Sequence, residues 1–234
     1  ALFAELVPDG TLDAYRLPLR FFASAKHHGS RIRSFSEVMS VESTGGSVDA
    51  LVVRDHRTGA DGRVDADVVV NAAGPWAGLV AGRAGANLEI TPAPGTMVAV
   101  KGRLCNMVVS RLHPPDDGDI IVPQRTLSII GSTQWETESP DGVETPESDV
   151  PFLLGRADDL IPGFSEQTYH AAWTASRPLA GRSLTGGRTL SREFEVVPHR
   201  DEGVGGLYSV IGGKATVLRA MAEEIANVIC DDLD

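Results

Sequence analysis

Early in the chain, apolar positions recur at helical spacing. Tyr15, Leu19 and Phe22 fall on one face, Asp13 stands before them as a cap, Pro18 lies near the first turn and Gly29 stops the run, which predicts a first helix. The period then changes to two. "RIRSFSEVMSVES" and "SVDALVVRDH" read as strands, and "GRVDADVVVN" reads as a third after the turn "RTGADG". Together they predict a three-stranded meander. Its last residues, Val68, Val69 and Val70, are continuously apolar, as in a strand buried on both faces. That strand runs into Asn71-Ala72-Ala73-Gly74-Pro75-Trp76, a strand-to-helix corner of very small residues.

From Pro92 the texture becomes antiparallel: "GTMVAVKG", "NMVVSRL", "GDIIVPQ" and "LSIIGST" are short strands separated by Gly, Pro and Asp turns. "SDVPFLLGRADDL" predicts a helix begun by Ser148 or Asp149 and ended before Pro162, and "TYHAAWTASRP" and "REFEVVPH" predict two more strands. An apolar strand at 207–211 breaks at Gly212-Gly213, shows Lys214, and turns helical with Leu218, Met221, Ala222 and Ile225 on one face. The reading is an α/β chain with α+β character, in which one domain is interrupted by another: 1–91, 92–206, and 207–234 returning to the first.

The second corner invites a phosphate-loop reading, which fails. G-x-x-x-x-G-K-[ST] requires glycine where Tyr208 stands and a hydroxyl where Ala215 stands. What remains is a glycine pair whose backbone freedom lets a ligand approach the main chain, with Lys214 at a strand-to-helix corner of the kind open sheets use for ligands. The same residues also fit a glycine helix cap followed by a solvated lysine. No G-x-G-x-x-G occurs; Gly203-Val204-Gly205-Gly206 comes nearest and has Tyr208 at its last glycine position.

Composition narrows the function classes. The 234 residues carry 42% hydrophobic and 23% charged side chains, an ordinary globular balance. With 21 basic against 32 acidic residues the net charge is −11, which argues against nonspecific nucleic-acid binding. The lysines are Lys26, Lys101 and Lys214 alone, and an acidic, lysine-poor surface is compatible with a salt-rich cytoplasm. Cys105 and Cys230 form neither a CxxC nor a disulfide framework, so a reducing, cytoplasmic setting is expected. The apolar run 68–81 is short for a bilayer and is broken by Asn71 and Pro75; neither a membrane-spanning helix nor a signal peptide is expected. The opening "ALFAELVPDG", with no methionine, leads to the expectation of a piece of a longer protein.

Cations stand near chain breaks: Arg177 before Pro178, Arg192 in "LSREF", and Lys214. Proline holds the residue before it extended, so Arg177 would project from a stiff strand end, and its guanidinium suits bidentate recognition of phosphate or carboxylate. In an acidic protein an anionic substrate needs such a local positive pocket. Taken singly, each arginine reads as paired with a neighbour such as Glu193 or as solvated. His27 and His28 are expected at the surface, where a helix C-terminus favours positive charge. The remaining histidines lack metal-ligand spacing, so no metal is expected; His113 and His199 are both candidate general bases. Trp76, Trp135 and Trp173 are expected in a core or interface.

Six landmarks in order, "VPDGTLD", "VVVNAAGPW", "GDIIVP" followed by "LSIIGST", "RPL", "LSRE" and "GGKATVLRAMAE", resemble the FAD-dependent glycerol-3-phosphate dehydrogenases. The likeness is to the A-subunit type of the anaerobic enzyme, within the D-amino-acid-oxidase-like flavoproteins. The resemblance implies a partial FAD-binding Rossmann-like domain, without its N-terminal glycine loop, interrupted by an antiparallel-sheet substrate domain. It also implies that sn-glycerol 3-phosphate is oxidised to dihydroxyacetone phosphate with FAD as hydride acceptor and a quinone downstream, through partner subunits. Arg177 and Arg192 would hold the substrate phosphate, Lys214 would stabilise negative charge, and all three are candidate catalytic residues. Val38, Ala73, Gly74, Gly212, Gly213 and Thr216 would line FAD. A peripheral place at the inner face of the cell membrane is compatible with that role. The sequence departs from the family pattern at Gly131-Ser132-Thr133-Gln134, at Ala215-Thr216-Val217-Leu218-Arg219 and at Lys101-Gly102-Arg103-Leu104. Two alternatives stand beside this reading: an FAD-dependent amino-acid or hydroxy-acid oxidase, for which one arginine suffices, and a noncatalytic ligand-binding or assembly module.

Overall fold

A computed structural model describes residues 5–7, 10–111, 113–114, 116–181 and 194–233. The first helix, α1 (Arg16–His27), begins where Asp13 Oδ1 accepts hydrogen bonds from the amides of Tyr15 and Arg16 at 3.1 and 3.0 Å, and Gly29 follows it at φ 91°. Its side chains remain unburied, and His27 and His28 are exposed.

The meander comprises β1 (Ser36–Thr44), β2 (Ser47–Asp55) and β3 (Asp61–Asp65), paired antiparallel in the order β1-β2-β3. Two features differ from the sequence reading. The first strand starts at Ser36 rather than Arg31, because Phe35 takes φ 57°, outside the extended region, and its carbonyl accepts the His56 amide at 2.8 Å. The stretch read as the third strand is two strands. It leaves the meander after Asp65 and resumes as β4 (Val69–Asn71) in a different sheet. Gly206 makes the transfer possible. Its carbonyl accepts the Val69 amide at 2.8 Å, while a Cβ there would lie 2.7 Å from both Asp67 O and Val48 Cγ2. Val69 and Asn71 are buried, but Val70 is 44% exposed, so this strand is not covered on both faces by the described residues.

After β4 come one 3₁₀ turn, Gly74–Trp76, and α2 (Ala77–Arg83). The antiparallel layer then follows as β5 (Ile90–Lys101), β6 (Val109–Ser110), β7 (Ile120–Gln124), β8 (Leu127–Gly131) and, after α3 (Asp149–Asp158), β9 (Tyr169–Ala180). Its order is β6-β7-β8-β5-β9. The last sheet, β10-β11-β4, joins β10 (Phe194–Pro198) and β11 (Leu207–Gly212) to β4, with β11 and β4 parallel. A 3₁₀ turn, Ala215–Val217, leads into α4 (Leu218–Leu233), which buries Ile225; Ala222, expected on that face, is exposed.

Among the described residues two apolar cores result. One gathers Val41 and Val48 of the meander with Val69, Ala81, Ala86, Val204 and Leu207. The other packs Val98, Val100, Ile121 and Ile130 against Leu153 and Ala157 of α3 and against Phe164. Because side chains alternate along a strand, the five-stranded sheet has a second face. Registers place Ile120, Gly131, Met97 and Trp173 across that face, and Val122, Ile129, Ala99 and Ala171 in the next row. Met97, Val122, Ile129 and Trp173 are only half-buried, leaving an open apolar wall beside Arg177. Among the described residues no helix is long and apolar enough to cross a membrane.

Candidate active site

The second corner and the end of β9 enclose one cavity. About 290 Å³ in volume, it is lined by Arg177, Pro178, Leu179, Gly212, Gly213, Lys214 and Ala215. Two of the cations singled out in the sequence, Arg177 and Lys214, therefore share a single pocket with the glycine pair. Arg192 lies outside the described residues.

Arg177 is placed by the sheet. It stands on the open face of β9 opposite Ala93, and its guanidinium lies across β5, donating from Nη1 to Ala93 O at 3.5 Å and from Nη2 to Ser132 Oγ. Only a residue without a side chain fits beneath it. A Cβ on Gly95 would overlap the backbone carbonyl oxygen of Thr133 first, and would stand 2.7 Å from Nη1 and 2.9 Å from Nη2. Gly95 and Ser132 thus belong to the site although the sequence reading passed over both. The signal for Gly95 was present: a glycine inside a strand pattern marks close approach by another group. Ser132 lies in the stretch that departs from the family pattern and gave no separate signal.

Lys214 occupies the extended residue, φ −123° and ψ 148°, immediately before the 3₁₀ turn, and is exposed. The glycines before it take φ 70° and 78°, angles that a side chain would strain. Gly213 has a second reason to be glycine: a Cβ there would meet Met221 Sδ at 2.7 Å and Phe194 Cβ at 3.1 Å. This packing closes the corner onto α4. Thr216 follows in the turn, exposed.

The first corner packs against the same elements: its 3₁₀ turn touches β9, β5 and β11. Gly74 has φ 57°, and none of the described residues comes within 4 Å of where its Cβ would be, so among them its backbone is open to approach. Trp76, half exposed, donates from Nε1 to Asp141 Oδ1 at 2.8 Å, tying this corner to the loop after β8. Trp173 lies on the apolar wall, and Trp135 lines a separate cleft by that loop. Val38 does not join the pocket. Its side chain packs on the first core and its carbonyl accepts from Arg83 Nη1.

Neither candidate histidine lines the cavity. His113 Nε2 lies 3.2 Å from Asp119 Oδ1. His199 is fully buried, with Nδ1 2.7 Å from Glu202 Oε1 and Nε2 2.8 Å from Ser209 Oγ. Chemically, the pocket offers two cations, exposed backbone at a helix start and an apolar wall. These residues fit the flat, partly apolar end of a flavin. Gly74 leaves room for main-chain approach, and the amides of a first helical turn have no intrahelical acceptor and can meet negative charge. They offer no glycine-rich loop for an adenosine diphosphate.

The chain is 36% identical to the A1 subunit of the anaerobic glycerol-3-phosphate dehydrogenase of Haloferax volcanii, over 97% of this chain and 41% of that protein. It is 34% identical to the A-type subunit of the anaerobic enzyme of Escherichia coli K12, over 98% of this chain and 43% of that protein. The chain thus spans about two fifths of the length of the curated relatives it matches. Among solved structures, the glycerol-3-phosphate dehydrogenase of Bacillus halodurans complexed with FAD superposes with a TM-score of 0.74 at 23% identity, over 93% of this chain and 42% of that one. The glycine oxidase of Bacillus cereus superposes with a TM-score of 0.72 at 20% identity, over 94% and 55%. At those identities the superpositions show a shared fold, that of FAD-dependent oxidoreductases with a Rossmann-like domain. A family description, FAD dependent oxidoreductase, matches residues 3–227, nearly the whole chain, and the chain belongs to that family.

Proposed function

We propose that these residues form the substrate layer and the later part of the flavin domain of an enzyme that oxidises sn-glycerol 3-phosphate to dihydroxyacetone phosphate. The observation that carries the reading is the shared cavity of Arg177, Lys214 and the Gly212-Gly213 backbone. A bound flavin would supply the redox chemistry, taking the hydride from C2 of the substrate as the hydroxyl proton is lost to give the ketone. Arg177 holds the substrate phosphate through its planar fork, and Arg192 provides the second hold by resemblance. Lys214, a compact charge on a flexible stem, stabilises negative charge near the reacting carbon or the reduced cofactor. Ala73, Gly74 and Thr216 offer backbone to the flavin, and Met97, Ile129 and Trp173 offer an apolar wall on the face that carries Arg177.

In this reading, segments 1–91 and 207–234 serve the flavin together with residues 194–206, which join the same sheet and core, and the rest of 92–206 serves the substrate. Electrons leave to a quinone through partner subunits, in keeping with relatives that are themselves named as single subunits of an anaerobic enzyme. A cytoplasmic location, or a peripheral one at the inner face of the cell membrane, accompanies that route.

The test uses the parent protein loaded with FAD. Anaerobic addition of glycerol 3-phosphate is expected to bleach the visible flavin absorbance, while glycerol and D-alanine leave it unchanged. Bleaching by D-alanine instead would move the protein to the amino-acid oxidases, and no bleaching by any of the three would discard the substrate assignment. A parent that retains no flavin would point to the noncatalytic module.

A further inference from the structure

Between the two corners runs a chain of buried polar groups to which neither the pocket nor the sequence landmarks assign a role. Asn71, His199 and Ser209 are all nearly or fully buried, at 2%, 0% and 0% exposure. Buried polar groups of this kind are costly unless each is satisfied. Here each one is. Asn71 Nδ2 donates to Ala77 O at 2.8 Å and to Ser209 Oγ at 3.0 Å, and Asn71 Oδ1 accepts the Ala73 amide at 3.3 Å. Ser209 Oγ, which accepts from Asn71, lies 2.8 Å from His199 Nε2. His199 Nδ1 lies 2.7 Å from Glu202 Oε1; in the tautomer with the proton on Nδ1 the ring donates to that carboxylate and its Nε2 accepts from the Ser209 hydroxyl. Glu202 is anchored in turn, its other oxygen accepting the Asn87 amide at 2.6 Å.

Each bond shares a group with the next, and the ends of the chain are informative. Asn71 is the last residue of β4 and holds Ala73 and Ala77 on either side of the Gly74 corner. Ser209 lies opposite it on the parallel neighbour β11, three residues before Gly212. We propose that His199 and Ser209 are positioning residues. The Glu202–His199–Ser209–Asn71 relay sets the spacing between the Gly74 and Gly212-Gly213 corners, and so the width of the slot into which the flavin end fits. The inference rests on the flavin reading of both corners. It uses neither histidine nor serine as a group that touches substrate.

The experiment measures the dissociation constant for FAD in the parent protein, from the fluorescence of released flavin, alongside thermal unfolding. Ser209→Ala removes one hydroxyl and leaves His199 Nε2 and Asn71 without it; FAD affinity is expected to fall about tenfold, the scale of one buried hydrogen bond. His199→Asn, whose amide reaches only the Nδ1 position, is expected to lose as much, and His199→Gln, whose amide reaches the Nε2 position, to recover most of it. Ile130→Val, in the other core, is the control for destabilisation by itself and is expected to leave FAD affinity unchanged. If Ser209→Ala, folded, holds FAD within twofold of wild type, the proposal is overturned. It is equally overturned if His199→Gln is as impaired as His199→Asn, which would make His199 an anchor for Glu202 only. A wild-type parent that binds no FAD would reject the flavin reading itself, and failure of the variants alone would reject only the relay.

Discussion

Replacing Gly95 by alanine tests whether the site depends on how closely Arg177 crosses the sheet. The added Cβ would lie 2.7 Å from Nη1 and 2.9 Å from Nη2 of Arg177, and it would also overlap the backbone carbonyl of Thr133. An ordinary carbon contact needs about 3.5 Å. The guanidinium must therefore retreat by roughly 0.6–0.8 Å, the shortfall from that contact distance, and the Thr133 backbone must yield as well. The backbone overlap costs stability, about 1–3 kcal/mol as in overpacked cores. The movement of the fork matters more for function, because a displacement near 1 Å in a positioning group lowers rate by about a hundredfold. The assay is steady-state kcat/KM of the FAD-loaded parent with glycerol 3-phosphate, with unfolding followed in parallel. A fall of about a hundredfold with FAD retained is expected. A variant that kept kcat/KM within threefold while folded would refute the idea that the missing side chain at residue 95 sets the arginine.

Arg177→Ala, which removes the fork altogether, is expected to reduce kcat/KM by roughly a hundredfold or more, and unchanged kinetics would remove Arg177 from the site. Glu202 is held below its usual range, first by the Asn87 amide and then by His199. Because its folded value is lowered, its contribution to stability is present above the unfolded value near 4.5 and is lost as pH falls through the folded value. Glu202→Gln should therefore lower the urea midpoint at about pH 6, and the gap should narrow as pH falls below about 4.5, whereas a pH-independent gap would contradict this. The net charge of −11 predicts a melting temperature that rises from about 0.1 M to about 1 M KCl as self-repulsion is screened; a flat or falling curve counts against a salt-adapted surface.

Much of the element order was legible, for identifiable reasons. The antiparallel layer announces itself through period-two runs bounded by Gly, Pro and Asp, and β5, β7, β8 and β9 formed where those runs lie. Helix α3 began at its predicted acidic start and ended before Pro162. The division of "GRVDADVVVN" was not legible. Nothing in a run of apolar residues reveals a change of partner, and the partner of β4 is β11, far along the chain. The site was half visible. Arg177 and Lys214 stand out as cations at chain breaks, whereas the crossing of the Arg177 guanidinium over Gly95 involves a residue on another strand. His199 was visible as a residue but not as a structural link, because hydrogen-bond partners distant in sequence leave no periodic trace.

The strand that changes sheets also has a mechanical meaning. Between Asp65, the end of the meander, and Val69, the start of the strand beside β11, only three residues intervene. That span is held at both ends, Ala66 donating its amide to Asp49 O at 3.0 Å and Val69 to Gly206 O at 2.8 Å. The meander and the sheet bearing both corners should consequently move as one plate. An extra residue inserted at 66–68 would be transmitted directly to the Gly74 corner, whereas the same insertion in the 57–60 turn would be absorbed at the rim.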